Sequence, residues 1–172
     1  MNENQPAPQV PLARRYHQEL PWTDVTAVEA SLRINACFRA QHSAIARCFG
    51  MLGTDATFPR YTVLRILFFA KDQPVSQNDI RIATNATSPN VTYLVDGLEK
   101  EGLVTRIPDP TDRRVTFVQL TPAGRELAAK LVPAMAEVMG HMLDGFTDEE
   151  KDTFNRLLAR FNANADASYI VE

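Results

Sequence analysis

A group of hydrogen-bonding side chains lies at the start of a short amphipathic segment near the middle of the chain. Its members are Ser88, Asn90, Thr92 and Tyr93. An asparagine can pair with adenine through two hydrogen bonds, and serine, threonine and tyrosine hydroxyls commonly bind phosphate. These side chains are therefore candidates for DNA contacts, with Asn90 the best candidate for a base contact. The alternative is that they are only solvent-exposed residues at the start of a helix.

Arginine side chains nearby could neutralise phosphate groups. Arg113 and Arg114 end a Pro/Asp-rich segment, and an arginine on a hairpin tip can reach the minor groove. The alternative for this pair is an ordinary solvated turn. Arg106 and Arg60 are further candidates for phosphate contacts, as is Arg81 with its side chain turned outward.

The elements around these residues follow the order of a winged helix-turn-helix. Apolar residues recur at helical spacing over 91–98, and Gly102 stops this helix. A β-branched run, 103–107, follows at once. After a Pro/Asp/Arg loop comes a second alternating run, 115–120. A helix of this size fits the major groove of DNA, and the hairpin behind it would form the wing.

Three more helices are predicted before this segment. A long amphipathic helix runs from residue 24 to about 49, and a strongly apolar one, 59–71, should be buried. Ser76 and Asp79 form a capping box that begins the third. Asn85 suits the turn that ends it, because asparagine tolerates a left-handed backbone.

The remaining chain is predicted to be mostly helical as well. A helix is expected over 122–143, which Pro133 should kink or divide. A last helix, capped by Thr147, follows it. Residues 1–23 contain four prolines and read as an arm, with a short helix around 12–20.

The chain thus divides into three regions, and the fold class is mainly α with a small β wing. Residues 1–23 are the N-terminal arm, and residues 58–121 are the winged helix-turn-helix DNA-binding lobe. Residues 24–57 and 122–172 form a helical dimerisation region. The helices of this last region have more apolar surface than one small lobe can cover, so a partner subunit is the natural cover.

Charge is distributed unevenly along the 172-residue chain. The net charge is −3, whereas DNA-binding proteins often carry a basic surplus. Residues 58–121 hold 8 basic and 7 acidic side chains, and residues 122–172 hold 5 and 9. The acidic surplus therefore lies away from the predicted DNA-binding face.

Several other protein classes find little support in the sequence. No apolar run approaches the roughly 18 residues of a membrane span, and the polar start lacks a signal peptide's apolar core, so we expect a cytoplasmic protein. There is no nucleophile motif and no glycine-rich phosphate loop, with only 7 glycines. His17, His42 and His141 lack ligand spacing. We expect neither enzyme activity nor a cofactor or metal.

Cys37 and Cys48 lie in the same predicted helix. Eleven residues of helix separate them by about 16 Å, so they cannot bond to each other. We interpret them as small apolar residues of the helix core. The alternative is a redox sensor in which one of them reacts with a thiol from elsewhere.

Three segments resemble the MarR family of bacterial transcription regulators. They are VTYLVDGLEKEGLVTR (91–106), PDPTDRR (108–114) and VQLTPAGREL (118–127). The resemblance implies a homodimer in which the N- and C-terminal helices of both chains interleave. It also implies two recognition helices that address half-sites about 34–36 Å apart on near-palindromic, double-stranded operator DNA.

The resemblance also assigns roles in the wing. Asp112 would pair with Arg114 as a brace, leaving Arg113 to enter the minor groove or neutralise phosphate, and the two arginine roles could be exchanged. Tyr93 and Gly97 stand where the family often has arginine. These departures put the affinity and the operator sequence in question rather than the fold.

The effector pocket of the family lies between the dimer helices and the winged lobe. Here it would be lined from Phe38, Arg39, His42, Phe58 and Tyr61. The alternative for each is a place in the core or the interface. Trp22 is a further candidate, because some urate-responsive members carry an N-terminal tryptophan that helps to bind ligand.

The predicted function is therefore a homodimeric, sequence-specific DNA-binding transcriptional regulator. We expect a repressor that a small aromatic or amphipathic effector releases from DNA. Two alternatives remain: a redox-sensing regulator of the same fold that acts through Cys37 or Cys48, and a winged-helix interaction module that has lost DNA binding.

Overall fold

Helices dominate the part of the chain that the computed structural model describes, residues 11–71, 73–112 and 115–166. In chain order they are α1 (Pro11–Glu19), α2 (Val25–Met51), α3 (Phe58–Phe69), α4 (Gln77–Thr84), α5 (Ser88–Lys100), α6 (Pro122–His141) and α7 (Asp148–Asp166). The described strands are β1 (Val75–Ser76), β2 (Val104–Pro108) and β3 (Thr116–Leu120). The predicted class, mainly α with a small β wing, is confirmed.

The strands form one antiparallel sheet in the order β1-β3-β2. β2 and β3 are the predicted hairpin, with Val104 opposite Leu120. β1 was not predicted, because two residues are too few to show an alternating pattern. It pairs Val75 with Val118 and so ties the start of α4 to the wing.

One apolar core joins α3, α5, the hairpin and α6. The predicted stripe of α5 supplies Val91, Val95 and Leu98, each at most 1% exposed. The other core residues include Tyr61, Val63, Leu64 and Leu67 of α3, Val104, Val118 and Leu120 of the hairpin, and Ala128, Leu131 and Met135 of α6. The prediction that α3 is buried is confirmed. Burial of the α5 stripe decides which face of that helix is left for solvent.

Several helices begin and end at the predicted residues. The Asp24 carboxylate accepts hydrogen bonds from two amides in the first turn of α2, at 3.0 and 3.1 Å. The Ser76 hydroxyl accepts one from the Asp79 amide at 3.0 Å, and Thr147 caps α7 in the same way at 3.2 Å. Asn85 ends α4 with a left-handed φ of 49°. Local capping chemistry therefore sets these boundaries.

Pro133 does not divide α6, the second of the two outcomes predicted for it. The helix continues from Pro122 to His141 with the proline inside it. A proline removes one amide donor and crowds the preceding turn. Leu131, Val132 and Met135 around it are nevertheless buried, and this packing favours an unbroken helix.

The start of α6 is held tightly against the turn between α5 and β2. The Thr121 hydroxyl accepts a hydrogen bond from the Gly124 amide at 3.1 Å and donates one to the Gly102 carbonyl at 2.6 Å. A Cβ atom on Gly124 would lie 1.8 Å from the Leu103 carbonyl oxygen. Only glycine therefore allows this approach of the two backbones.

α1 is the short helix predicted within the arm, and it packs on α2 with Ala13 fully buried. The first ten residues lie outside the described part of the chain. Neither α1 nor any other helix in the described ranges is long and apolar enough to cross a membrane.

α7 differs from the other long helices because none of residues 148–165 is buried. Its apolar side chains follow helical spacing, yet Phe154, Leu157 and Phe161 are 41%, 53% and 41% exposed. This helix presents an apolar stripe that the described part of the chain leaves largely uncovered.

Candidate nucleic-acid interface

α5 leaves the four predicted DNA-contacting residues open to solvent. Ser88, Asn90 and Thr92 are exposed, and the Tyr93 side chain is 76% exposed. Three residues of helix separate Asn90 from Tyr93, so these two lie on one side of α5, whereas Ser88 and Thr92 lie about 160° around the helix axis from Asn90. The structure thus brings Asn90 and Tyr93 together, and contact of any of the four with DNA stays a prediction.

The N-terminal end of α5 is open towards solvent. Thr87 is its N-cap residue, but the Thr87 side chain makes no capping hydrogen bond. Pro89 lies in the first turn, which contains no acidic residue. The partial positive charge at this helix start is therefore uncovered, an arrangement that favours phosphate.

Arg106 of β2 binds two carboxylates on the C-terminal half of α5. Its Nη2 lies 2.5 Å from Asp96 Oδ1, and its Nη1 is ion-paired with Glu99. Its backbone amide also donates to the Glu99 carboxylate at 3.1 Å. Burial alone would lower the pKa of Arg106, but the hydrogen bonds and charges of Asp96 and Glu99 outweigh burial and raise it. Arg106 therefore joins the wing to α5.

Arg60 makes a comparable link to the C-terminal end of α5. It lies in the first turn of α3 and is ion-paired with Glu101, the residue that ends α5. Only 19% of the Arg60 side chain is exposed. Phosphate contacts by Arg60 and Arg106 remain predictions. A phosphate group would have to compete with the carboxylates that are already bound to both guanidinium groups.

Arg81 is half-buried on α4, and its Nε donates to the Asn78 side chain at 3.2 Å. This bond within α4 occupies one of its five donors. A phosphate contact by the other guanidinium nitrogens of Arg81 stays a prediction.

Arg113 and Arg114 lie outside the described residues, and so does the predicted brace of Asp112 with Arg114. Asp109 organises the described part of the turn. Its carboxylate accepts hydrogen bonds from the Thr111 hydroxyl at 2.6 Å and from the amides of Thr111 and Asp112 at 2.7 and 2.9 Å. These bonds, that of the Thr111 hydroxyl above all, lower the pKa of Asp109. The sequence analysis missed this residue, although a side chain that binds amides two and three residues on is typical of aspartate in turns.

Comparison with known proteins identifies the family. The sequence model of the MarR family matches residues 57–116. The transcriptional regulator MhqR of Bacillus subtilis is 36% identical over 105 residues, which are 61% of this chain and 71% of MhqR. The chain belongs to the MarR family. The transcriptional repressor YetL of Bacillus subtilis is 30% identical over 99 residues, 58% of this chain and 59% of YetL.

The fold of a MarR-family regulator is also seen in solved structures. The Staphylococcus aureus MepR–DNA complex matches with a TM-score of 0.72 and 22% identity, over 78% of this chain and 96% of the MepR chain. The structure of the regulator PA3341 matches with a TM-score of 0.66 and 28% identity, over 80% and 98%. The named relatives are regulators of transcription rather than enzymes.

In this MarR-family chain, the aromatic residues predicted for the effector pocket meet in one cluster. The Phe38 and His42 rings of α2 lie 4.0 Å apart, and His42 lies 5.4 Å from Phe58 of α3. Phe58 in turn lies 6.1 Å from Tyr61. We call these four residues the aromatic cluster. It spans the junction between the long N-terminal helix and the lobe.

An arginine of α3 lies beside this cluster. The Arg65 guanidinium stands 5.6 Å above the Tyr61 ring, a contact that the sequence analysis did not predict. Burial raises the pKa of Tyr61, and the positive charge of Arg65 opposes that shift. Arg39 is exposed on α2. Trp22 is 78% exposed and is not part of the aromatic cluster.

The two cysteines have different environments on α2. Cys48 is buried, as the helix-core interpretation predicted, whereas Cys37 is exposed on the single chain. Within the described ranges, no group of three or more histidine, cysteine, aspartate or glutamate side chains is placed to hold a metal ion.

Proposed function

We propose that this protein is a homodimeric, sequence-specific DNA-binding transcriptional repressor that a small molecule releases from its operator. The observation that carries the proposal is the division of α5 into two faces. One face is buried in the core, and the other presents Asn90 and Tyr93 on an open surface. A DNA-binding role of this kind places the protein in the cytoplasm.

Three observations support double-stranded DNA as the partner. The start of α5 has no side-chain cap and no acidic residue, Arg106 binds the two carboxylates further along the helix and offsets one of their charges, and the wing follows directly. The fold also matches that of MepR in its complex with DNA. A two-fold dimer would place its recognition helices on half-sites about 34–36 Å apart in a near-palindromic operator.

The uncovered stripe of α7 supports a homodimer. Phe154, Leu157 and Phe161 lie on one side of a helix that buries nothing in its own chain. Contiguous apolar patches of this kind mark association surfaces. A second copy of the chain supplies an identical stripe, so each α7 covers apolar surface of its partner.

The aromatic cluster supports an aromatic effector. The exposed Phe38 ring and the half-buried His42 and Phe58 rings offer flat apolar surface for a planar molecule, whereas Tyr61 is buried in the core. Arg65, which lies over the Tyr61 ring, would favour a molecule with a negative charge. Phe58 and Tyr61 share the first turn of α3 with Arg60, which holds the end of α5 through Glu101. An effector between α2 and α3 would therefore move the recognition helices and change the spacing that the operator requires.

The test is binding of the purified protein to the DNA that flanks its own gene, titrated with salt and with competitor DNA. We expect tight, competitor-resistant binding of two protomers per site. Asn90→Ala should weaken it by about five- to a hundredfold, because a bidentate base contact contributes about 1–3 kcal/mol. Asn35→Ala, exposed on α2, is the matched control and should bind as the unsubstituted protein does. Weak binding that competitor DNA abolishes would instead favour an interaction module.

A redox-regulated protein is the second candidate, and the exposure of Cys37 favours it. Its test is the same DNA titration after peroxide treatment. Loss of binding that thiol reagents restore, and that Cys37→Ser prevents, would make this candidate the leading one.

A further inference from the structure

Gly97 lies on the same open face of α5 as the predicted DNA-reading residues. Asn90, Tyr93 and Gly97 are spaced by three and four residues, so they follow one line along the helix. Val91, Val95 and Leu98 occupy the buried side, about 80–160° around the helix axis from this line. The line therefore runs along the side of the open face that borders the half-buried Leu94, and Gly97 is itself half-buried.

Nothing inside the chain requires a glycine at this position. A Cβ atom on Gly97 would meet no atom within 4 Å, and Gly97 is not among the described glycines with a positive φ. Gly102 and Gly124, by contrast, are explained by a positive φ and by contact with the Leu103 backbone. Glycine in the interior of a helix is destabilising relative to alanine. Gly97 thus lowers the stability of α5 without allowing closer packing of the described residues around it.

We propose that the bare backbone at Gly97 is itself a contact surface for DNA. This inference rests on the proposed DNA-binding function and extends it to a position with no side chain. The occupant is one sugar–phosphate strand of double-stranded DNA, which lies against the helix at Gly97. Such an approach seats α5 deeper in the major groove and brings the Tyr93 ring against base edges, where it can pack on a thymine methyl group.

The neighbouring side chains are arranged in a way that suits this approach. Side chains on a helix lean towards its N-terminus, so a side chain at position 97 would cover the surface beside Tyr93. Asp96 and Glu99, which flank the position, would repel phosphate if their charges were unbalanced. Arg106 is bound to both. Arg106 thus offsets one of these two negative charges, and the strand meets an uncovered stretch of helix whose repulsion is reduced.

A competing explanation is that position 97 has only lost a phosphate-binding arginine. The two explanations predict opposite effects of the same substitutions. If Gly97 marks a lost contact, Gly97→Arg should tighten binding and steepen its salt dependence by about one counterion. If the bare backbone is the contact, both Gly97→Ala and Gly97→Arg should weaken binding, because any side chain holds the strand away.

The experiment measures thermal stability and operator affinity of each variant at one protein concentration. Gly97→Ala should raise the Tm by about 2–4 °C while weakening operator binding about tenfold or more. Gly140→Ala, near the end of α6, is the control, because a Cβ there also meets nothing within 4 Å. Gly140 lies about 24 Å along α6 from Gly124 and next to the last residue of that helix, so Gly140→Ala should leave the Tm unchanged or slightly higher and the affinity unchanged.

A double-substitution cycle shows whether Gly97 acts through Tyr93. Tyr93→Ala should cost much less affinity when Gly97→Ala is already present than when it is made alone. Operator binding by Gly97→Ala equal to that of the unsubstituted protein, or tighter binding by Gly97→Arg, overturns this inference alone. Absence of operator binding by the unsubstituted protein overturns the proposed function and the inference together.

Discussion

Gly124 shows how one residue type can hold two elements together. The α6 backbone at Gly124 touches the Leu103 carbonyl so closely that a Cβ would lie 1.8 Å from the oxygen. Gly124→Ala must therefore push α6 away from the α5–β2 turn. We expect the free energy of unfolding to fall by about 2–4 kcal/mol, as for other substitutions that overfill a packed site.

Urea denaturation of the two proteins measures that loss. Gly50→Ala, where a Cβ would meet nothing within 4 Å, is the control and should leave stability unchanged or slightly higher. Equal stability of the Gly124→Ala and Gly50→Ala variants would contradict the close contact at the start of α6.

At the scale of whole elements, the ion pairs of Arg106 link the wing to α5. Arg106→Ala would separate β2 from α5 and leave Asp96 and Glu99 without their cation. Because the Arg106 side chain is only 23% exposed, we expect stability to fall by about 1 kcal/mol. Operator affinity should fall as well, and more at low salt, because the uncovered carboxylates repel phosphate.

A second variant separates this role from a direct phosphate contact. Asp96→Asn with Glu99→Gln, made in the Arg106→Ala background, removes the repelling charges without restoring the cation. Recovery of operator affinity in a binding titration supports the neutralising role of Arg106. Affinity that stays low, with one fewer counterion in the salt dependence, would show that Arg106 itself contacts phosphate, as the sequence analysis predicted.

Elements that depend on local chemistry were the ones that the sequence predicted well. The α5 stripe, the Ser76 cap and the left-handed Asn85 follow from residues within a few positions of one another. β1 was missed, because its partner strand lies about 40 residues away and two residues carry no periodicity. The sequence left open whether Pro133 would kink or divide α6, and the helix is not divided, because its packing against the core outweighs the loss of one amide donor.

The candidate site was predicted in its residue types and less well in its contacts. The sequence correctly grouped Asn90 with Tyr93, and Phe38 with His42. It could not show which carboxylates Arg106 would meet, because ion pairs between elements depend on tertiary distances rather than on spacing along the chain. Nor could it show that a side chain at Gly97 would find open space.

At the scale of the whole molecule, we expect the proposed dimer to depend on the uncovered apolar stripe of α7. Leu157→Asp places a charge in the middle of that stripe, and its burial against a second copy would be strongly unfavourable. We expect the dimer to dissociate at micromolar concentration and operator binding to fall with it. Sedimentation velocity measures the first effect, and the DNA titration measures the second.

Asn155→Asp introduces the same charge on the same helix and serves as the control. Asn155 is exposed and lies two residues before Leu157, which places it about 160° away around the helix axis. This variant should remain dimeric and bind DNA normally. A dimeric Leu157→Asp protein would show that α7 is covered by something other than a second copy of the chain.

The uncovered stripe of α7 also has a consequence for gene dosage. A chain newly released from the ribosome carries a C-terminal helix that stays uncovered until a second chain arrives, and open segments are the ones that proteases cut. If the protein binds its operator only as the proposed dimer, the operator would be nearly empty at low copy number. Occupancy would rise with the square of the chain concentration until dimers predominate. The apolar stripe left exposed on α7 would thus give the cell a threshold, below which the target promoter goes unregulated.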